Sequence, residues 1–266
     1  MRFFGLVLAA SSWLAAQTPL KAQQKPGADF AGVWMTEPRN MQTFSEVTDV
    51  AQSWSVAKYG DYIKKRGLPT TPVPLTPWAA EKLKYSRDPI GGKRNELDPY
   101  VNNCAPPGFP RFWLIGRPYE VLQDSRRVLI LFESDHWVRQ IWTDGRGHPK
   151  TLTPTWGGHS IGRWEGDTLV VDTVGMTDKA PFDTENNPHG PELHVVERIR
   201  RPDHEHLLVE FTFEDPKAFT KPWKAMRISQ LHPGWALDDV VACEDRLLGT
   251  PIPVTYGFGE DIPADK

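Results

Sequence analysis

From Tyr119 onward the chain consists of short runs in which apolar and polar residues alternate, divided by turn residues. Side chains alternate faces along a strand, so a period of two predicts strands with two distinct faces. Val128–Glu133 and Trp137–Trp142 read as a hairpin joined through Ser134-Asp135, and Asp144-Gly145 marks the next tight turn. His159–Trp164 and Thr168–Val174 flank Glu165-Gly166-Asp167, while His194–Arg200 and His206–Glu214 flank Arg201-Pro-Asp-His204. A last strand covers Trp223–Leu231, and Phe30–Trp34 is a short strand far upstream. Seven or eight sequential antiparallel strands of this kind close into a barrel or curl into a sandwich.

Upstream of Tyr119 the alternation is lost. Thr76 is placed as an N-cap with Pro77 at the first helical position, which predicts a helix running through Tyr85. The segment 70–76 is extended and proline-rich, and Cys104–Pro118 is a second Pro/Gly-rich stretch. The expected organisation is a signal peptide over 1–22, an N-terminal strand, helix and Pro-rich segment over 23–118 packed on a barrel, and the antiparallel barrel core over 119–266. The signal expectation rests on Arg2, the apolar run Phe3–Ala16 and the small residues Ala15, Ala16 and Ala22. That run is shorter than the about 20 residues a membrane anchor needs. Periplasmic or secreted location and a mature chain without a membrane span follow as expectations.

Loss of Arg2 and Lys21 takes the formal net charge from −3 to −5, which argues against nucleic acid as a partner. Eleven Trp and 25 Pro point to an aromatic-rich core or pocket joined by stiff connections. Cys104 and Cys243 are the two cysteines, and in an oxidising compartment they are expected to pair. A bond closing so long a loop contributes about 4–5 kcal/mol in the chain-entropy model. A catalytic thiol is the rival reading, but Cys104 has no local histidine or helix start to activate it.

Two resemblances follow. Gly32-x-Trp34 on the first strand resembles the opening motif of lipocalins and other calycins, which implies a lipocalin-like barrel. Gly158-His-Ser-Ile-Gly-Arg-Trp-Glu-Gly-Asp-Thr-Leu-Val-Val-Asp-Thr173 resembles the signature stretch of a large family of exported bacterial proteins. Cys104-x-Pro-x-Gly-x-Pro-Arg111, Asp144-Gly-Arg-x-His-Pro149, and Asp215-Pro216 with Lys221-Pro-Trp223 fit the same family, over most of the chain from Leu75. That resemblance implies export and brings no activity with it.

Gly158-His-Ser160-Ile-Gly162 matches the serine-hydrolase elbow, but that elbow requires a helix after the serine. Here a second strand follows, so the match reads as accidental. Polar residues flanked by apolar ones on a strand face are the better candidates. Val170-x-Asp172-x-Val174, Val195-x-Glu197-x-Ile199, Trp137-x-Arg139-x-Ile141 and His159-x-Ile161 each place an ionisable group on an apolar face. A carboxylate there needs a partner or a raised pKa. In one reading Arg139 closes an internal ion pair with Asp172 or Glu197. In the other, Arg139, His159, Asp172 and Glu197 line a cavity and perform acid–base chemistry, with Trp137, Tyr119, Trp164 and His194 holding substrate. No metal site or cofactor is implied: His194 and Glu197 fall on opposite faces, and Asp183-x-Glu185-x-Asn187 lacks the remaining calcium-loop positions. The function expected is an enzyme acting on a small, partly apolar or aromatic molecule. The main alternative is a lipocalin-like carrier, and a third reading is an envelope structural or interaction module, favoured if side chains fill the barrel interior.

Overall fold

The computed structural model describes residues 28–37, 44, 73–87, 98–100 and 104–238; the expected signal segment and Cys243 lie outside them. Among the described residues, nine strands make one closed barrel in sequence order. They are β1 Gly32–Glu37, β2 Tyr119–Gln123, β3 Arg127–Phe132, β4 Val138–Trp142, β5 His159–Glu165, β6 Thr168–Val174, β7 His194–Arg200, β8 His206–Glu214 and β9 Trp223–Leu231. The mainly β barrel read from the alternation is thus the fold. Closure comes from β1, which pairs with β2 at Gly32↔Val121 and with β9 at Trp34↔Leu231.

Two expectations need correction. The barrel is mixed, because β4 and β5 run parallel and pair only at Ile141↔Ser160 and Trp142↔Ile161. Parallel neighbours cannot be joined by a tight hairpin and need a crossover of a dozen or more residues, which 143–158 supplies. The barrel also starts before Tyr119. The strand β1 belongs to its wall, so the 23–118 segment is not simply packed on the outside.

The alternation becomes an inside and an outside. Val195, Glu197 and Ile199 of β7, Leu169, Val171 and Thr173 of β6, and Phe211 and Phe213 of β8 are all buried in the interior. The Pro/Gly-rich stretch supplies the rest of the filling through a 3₁₀ turn, Arg111–Leu114, all four residues of which are buried. The Trp113 ring lies 5.3 Å from Tyr119 and 5.9 Å from Phe132, both edge-on, and Phe112 lies 5.3 Å from Phe132. A nine-strand barrel without this plug would leave its aromatic lining facing a void, and voids forfeit packing energy.

The expected helix is α1, Pro77–Arg87. Thr76 caps it, its Oγ1 accepting from the Ala79 N–H at 3.2 Å while donating to the Lys217 carbonyl at 2.7 Å. One hydroxyl therefore starts the helix and fixes it to the turn that follows β8.

Candidate functional site

On the inner face, Arg139 of β4 and Glu197 of β7 form a closed ion pair, with side chains 2% and 0% exposed. Arg139 Nη1 donates to Glu197 Oε1 at 2.9 Å, and Nη2 donates to Oε2. Glu197 Oε1 also accepts from Trp113 Nε1 at 2.9 Å. Arg139 Nη2 reaches Thr173 Oγ1 at 3.1 Å and Ser160 Oγ at 3.2 Å, and those two hydroxyls bond each other at 2.9 Å. The guanidinium lies over the Phe109 ring at 4.1 Å. Each charge has its counter-charge, and the carboxylate also has a second donor, which is what a desolvated pair requires. Ser160, the centre of the elbow-like motif, is buried in this network as a hydrogen-bonding residue.

The outer face carries a second cluster. Register pairs His159 with Val174 and Asp172 with Ile161, and these positions point away from Ser160 and Thr173. His148, from the 143–158 crossover, comes down onto them. Its Nε2 lies 3.2 Å from Asp172 Oδ1, and its Nδ1 lies 2.8 Å from His159 Nδ1. His194 Nε2 reaches the same Asp172 Oδ1 at 3.2 Å, and its Nδ1 lies 3.4 Å from Glu214 Oε2. A carboxylate oxygen accepts, so His148 donates from Nε2, and the tautomer with its one proton there accepts at Nδ1. His159 then donates from Nδ1, which leaves its lone pair on Nε2. Burial, then the neighbouring His148 and Arg146, hold the His159 pKa below the ordinary imidazole value of 6.5.

The two networks meet at a cleft of about 330 Å³ in the barrel wall, where β4 and β5 diverge. Trp137, Val138, Arg139, Gln140 and Trp142 line one side, and Thr155, Gly157, Gly158, His159 and Ser160 the other. Arg146 stacks over Trp142 at 3.5 Å, placing a charge at the rim. Gly158 adopts φ +67, and a Cβ there would lie 2.7 Å from the Val174 carbonyl oxygen, so only glycine lets the chain enter β5 this closely.

Of the residues expected to share one pocket, the cleft gathers Trp137, Arg139 and His159. Asp172 and His194 stand behind His159 on the outer face, and Glu197 stands behind Arg139 inside. Tyr119 and Trp164 are elsewhere. Tyr119 is buried and donates to Ser229 Oγ at 2.7 Å, and Trp164 packs on Phe30 at 5.3 Å. Sequence reasoning did not single out His148, although the Asp144-Gly-Arg-x-His-Pro149 motif contains it. It also missed Arg227, buried inside the barrel with its guanidinium 4.8 Å from the Phe44 ring. Period-two alternation in Trp223-x-Ala225-x-Arg227-x-Ser229 held that signal.

Among the described residues no group of three or more His, Cys, Asp or Glu is arranged to hold a metal ion. No helix there is long and apolar enough to cross a membrane. Compared with known protein families, with curated proteins and with solved structures, the chain matches none of them.

Proposed function

We propose that this chain is an exported β-barrel enzyme that transfers protons on a small, partly apolar or aromatic molecule held in the β4–β5 cleft. The carrying observation is the hydrogen-bonded series Asp172–His148–His159, which ends at the cleft and leaves the His159 Nε2 lone pair available. His159 acts as the general base and later returns the proton. His148 and Asp172 hold its tautomer and stabilise the imidazolium that forms, each acting as a positioning residue. Trp137 and Trp142 supply apolar and aromatic surface. Arg139 and Glu197 form the floor, holding Ser160 in place.

The filled barrel interior supports this reading over a lipocalin-like carrier, which keeps its ligand inside the barrel. Export, a periplasmic location and a Cys104–Cys243 disulfide belong to the same proposal. The test is turnover by His159→Gln, His148→Gln and Asp172→Asn on a panel of enolisable and esterified aromatic metabolites. His159→Gln should lose 10²-fold or more, within the usual range for a general base of about 10²–10⁴. The two positioning variants should shift the acid limb of the pH profile. Wild-type kcat/KM should hold to below pH 6.5 before falling, because the base is needed unprotonated. Turnover unchanged in all three variants removes the mechanism.

A further inference from the structure

The cleft is bounded on one side by a length of strand edge. Phe132 N–H donates to the Trp137 carbonyl at 2.8 Å, and Ile130↔Arg139 and Val128↔Ile141 continue that register. Alternation therefore turns the backbone groups of Trp137, Arg139 and Ile141 toward β3, and those of Val138 and Gln140 toward β5. The strand β5 does not reach them. It pairs with β4 only at Ile141↔Ser160 and Trp142↔Ile161, so among the described residues the Val138 end of β4 has no strand neighbour on that side. Parallel pairing at Ile141↔Ser160 engages the Gln140 carbonyl. Among the described residues the N–H and C=O of Val138 and the N–H of Gln140 have no backbone partner, and they face the cleft.

A free strand edge is a template for another strand, and proteins usually block it or cover it. This one bears no proline, its single charge, Arg139, is turned inward onto Glu197, and Val138 is 53% exposed. It is recessed instead. The facing wall begins with two glycines, Gly157 and Gly158, which put no side chain of their own across from the edge, and the Trp137 ring lies 3.3 Å from where a Gly157 Cβ would stand. The slot ends where β4 and β5 come together at Ile141 and Ser160. Val138 to Gln140 spans about 7 Å, matching two or three extended residues. The aromatic Trp137 and Trp142 stand at its two ends.

We infer that the cleft binds a short extended peptide, which adds two or three residues to the open edge of β4 through the backbone groups of Val138 and Gln140. This names the ligand class of the site proposed above and rests on that reading only for the cleft being the ligand site. The N–H of Val138 meets a peptide carbonyl, the Val138 carbonyl meets a peptide N–H, and Trp137 and Trp142 take the flanking side chains.

The probe is an equimolar mixture of acetyl-tripeptide-amides with Ala, Phe, Lys or Glu at the central position, added to the ¹⁵N-labelled full chain. Hydrogen exchange of the Val138 and Gln140 amides should slow about tenfold or more at millimolar peptide, while exposed Leu122 on β2 should not change. N-methylation of the central peptide nitrogen should weaken binding about tenfold, as expected for losing a backbone hydrogen bond in this setting. Val138→Pro, which deletes an edge N–H, should do the same, and Val138→Ala should not. Both amides unmoved by peptide, equal affinity for the N-methylated probe, or full protection before any peptide is added would each overturn the inference. His159-dependent turnover of non-peptide compounds beside silent Val138 and Gln140 amides overturns the peptide site and leaves the acid–base reading standing. Peptide protection retained in a His159→Gln variant, with no His159-dependent turnover, does the opposite.

Discussion

Arg139 and Glu197 are each shielded from water, and either one alone would carry an uncompensated charge in a low-dielectric interior. Glu197→Leu should therefore cost about 3–5 kcal/mol in urea unfolding, because it strands the guanidinium and leaves Trp113 Nε1 without its acceptor. The double variant Arg139→Met with Glu197→Leu should recover much of that loss. A double variant as unstable as the sum of the single ones would mean the two side chains act independently. The polar member of each strand face was legible from alternation alone, as Val195-x-Glu197-x-Ile199 shows. Which face lies inside was not. Asp172 between Val170 and Val174 looks the same in sequence, yet it lies outside, where His148 and His194 share its Oδ1. Alternation defines two faces, and only the direction in which the sheet curls gives one of them to the interior.

At the scale of elements, β6, β7, β8 and β9 carry the boundaries that their patterns predict, because the alternation stops where residues such as Gly, Pro, Asp and Asn begin. The β4–β5 connection is the exception. Residues 143–158 join parallel rather than antiparallel neighbours, and that pairing opens the wall and carries His148 to His159. The hinge of this arrangement is Gly158. Gly158→Ala meets both a left-handed backbone, at φ +67, and clashes at 2.6 Å with Met176 Sδ and 2.7 Å with the Val174 oxygen. Gly145→Ala has a similar φ of +82 and nothing within 4 Å. The expected outcome is a loss of about 1 kcal/mol for Gly145→Ala and clearly more for Gly158→Ala, read from thermal melts. Equal losses would show that backbone strain alone matters at the entry to β5.

For the whole molecule, the buried histidine off the candidate site sets a pH limit. His189 is 1% exposed, and burial holds its pKa below 6.5 while its Nδ1 bonds the Gly190 carbonyl. The unfolded chain therefore binds a proton that the folded chain resists. This stability contribution is complete above pH 6.5 and is lost as pH falls below it, with a slope of at most about 1.4 kcal/mol per pH unit for one proton. Unfolding free energies at pH 7 and pH 5 should show a shallower acid loss in His189→Asn than in the wild type. The same slope in both would place the titrating group elsewhere. Barrel closure is the other property of this scale, since β1 pairs with β9 across most of the chain. Residue patterning by itself determined the strands from β3 to β9, their two faces, the capped helix and the polar residues set among apolar ones, because each depends on neighbours a few positions apart. Tertiary structure decided the mixed barrel, the plug of Phe112 and Trp113, the inner and outer faces, and the cleft where His159, Arg139 and Trp137 meet. Those depend on contacts between distant segments, whose energies come from curvature, closure and packing that no local pattern encodes.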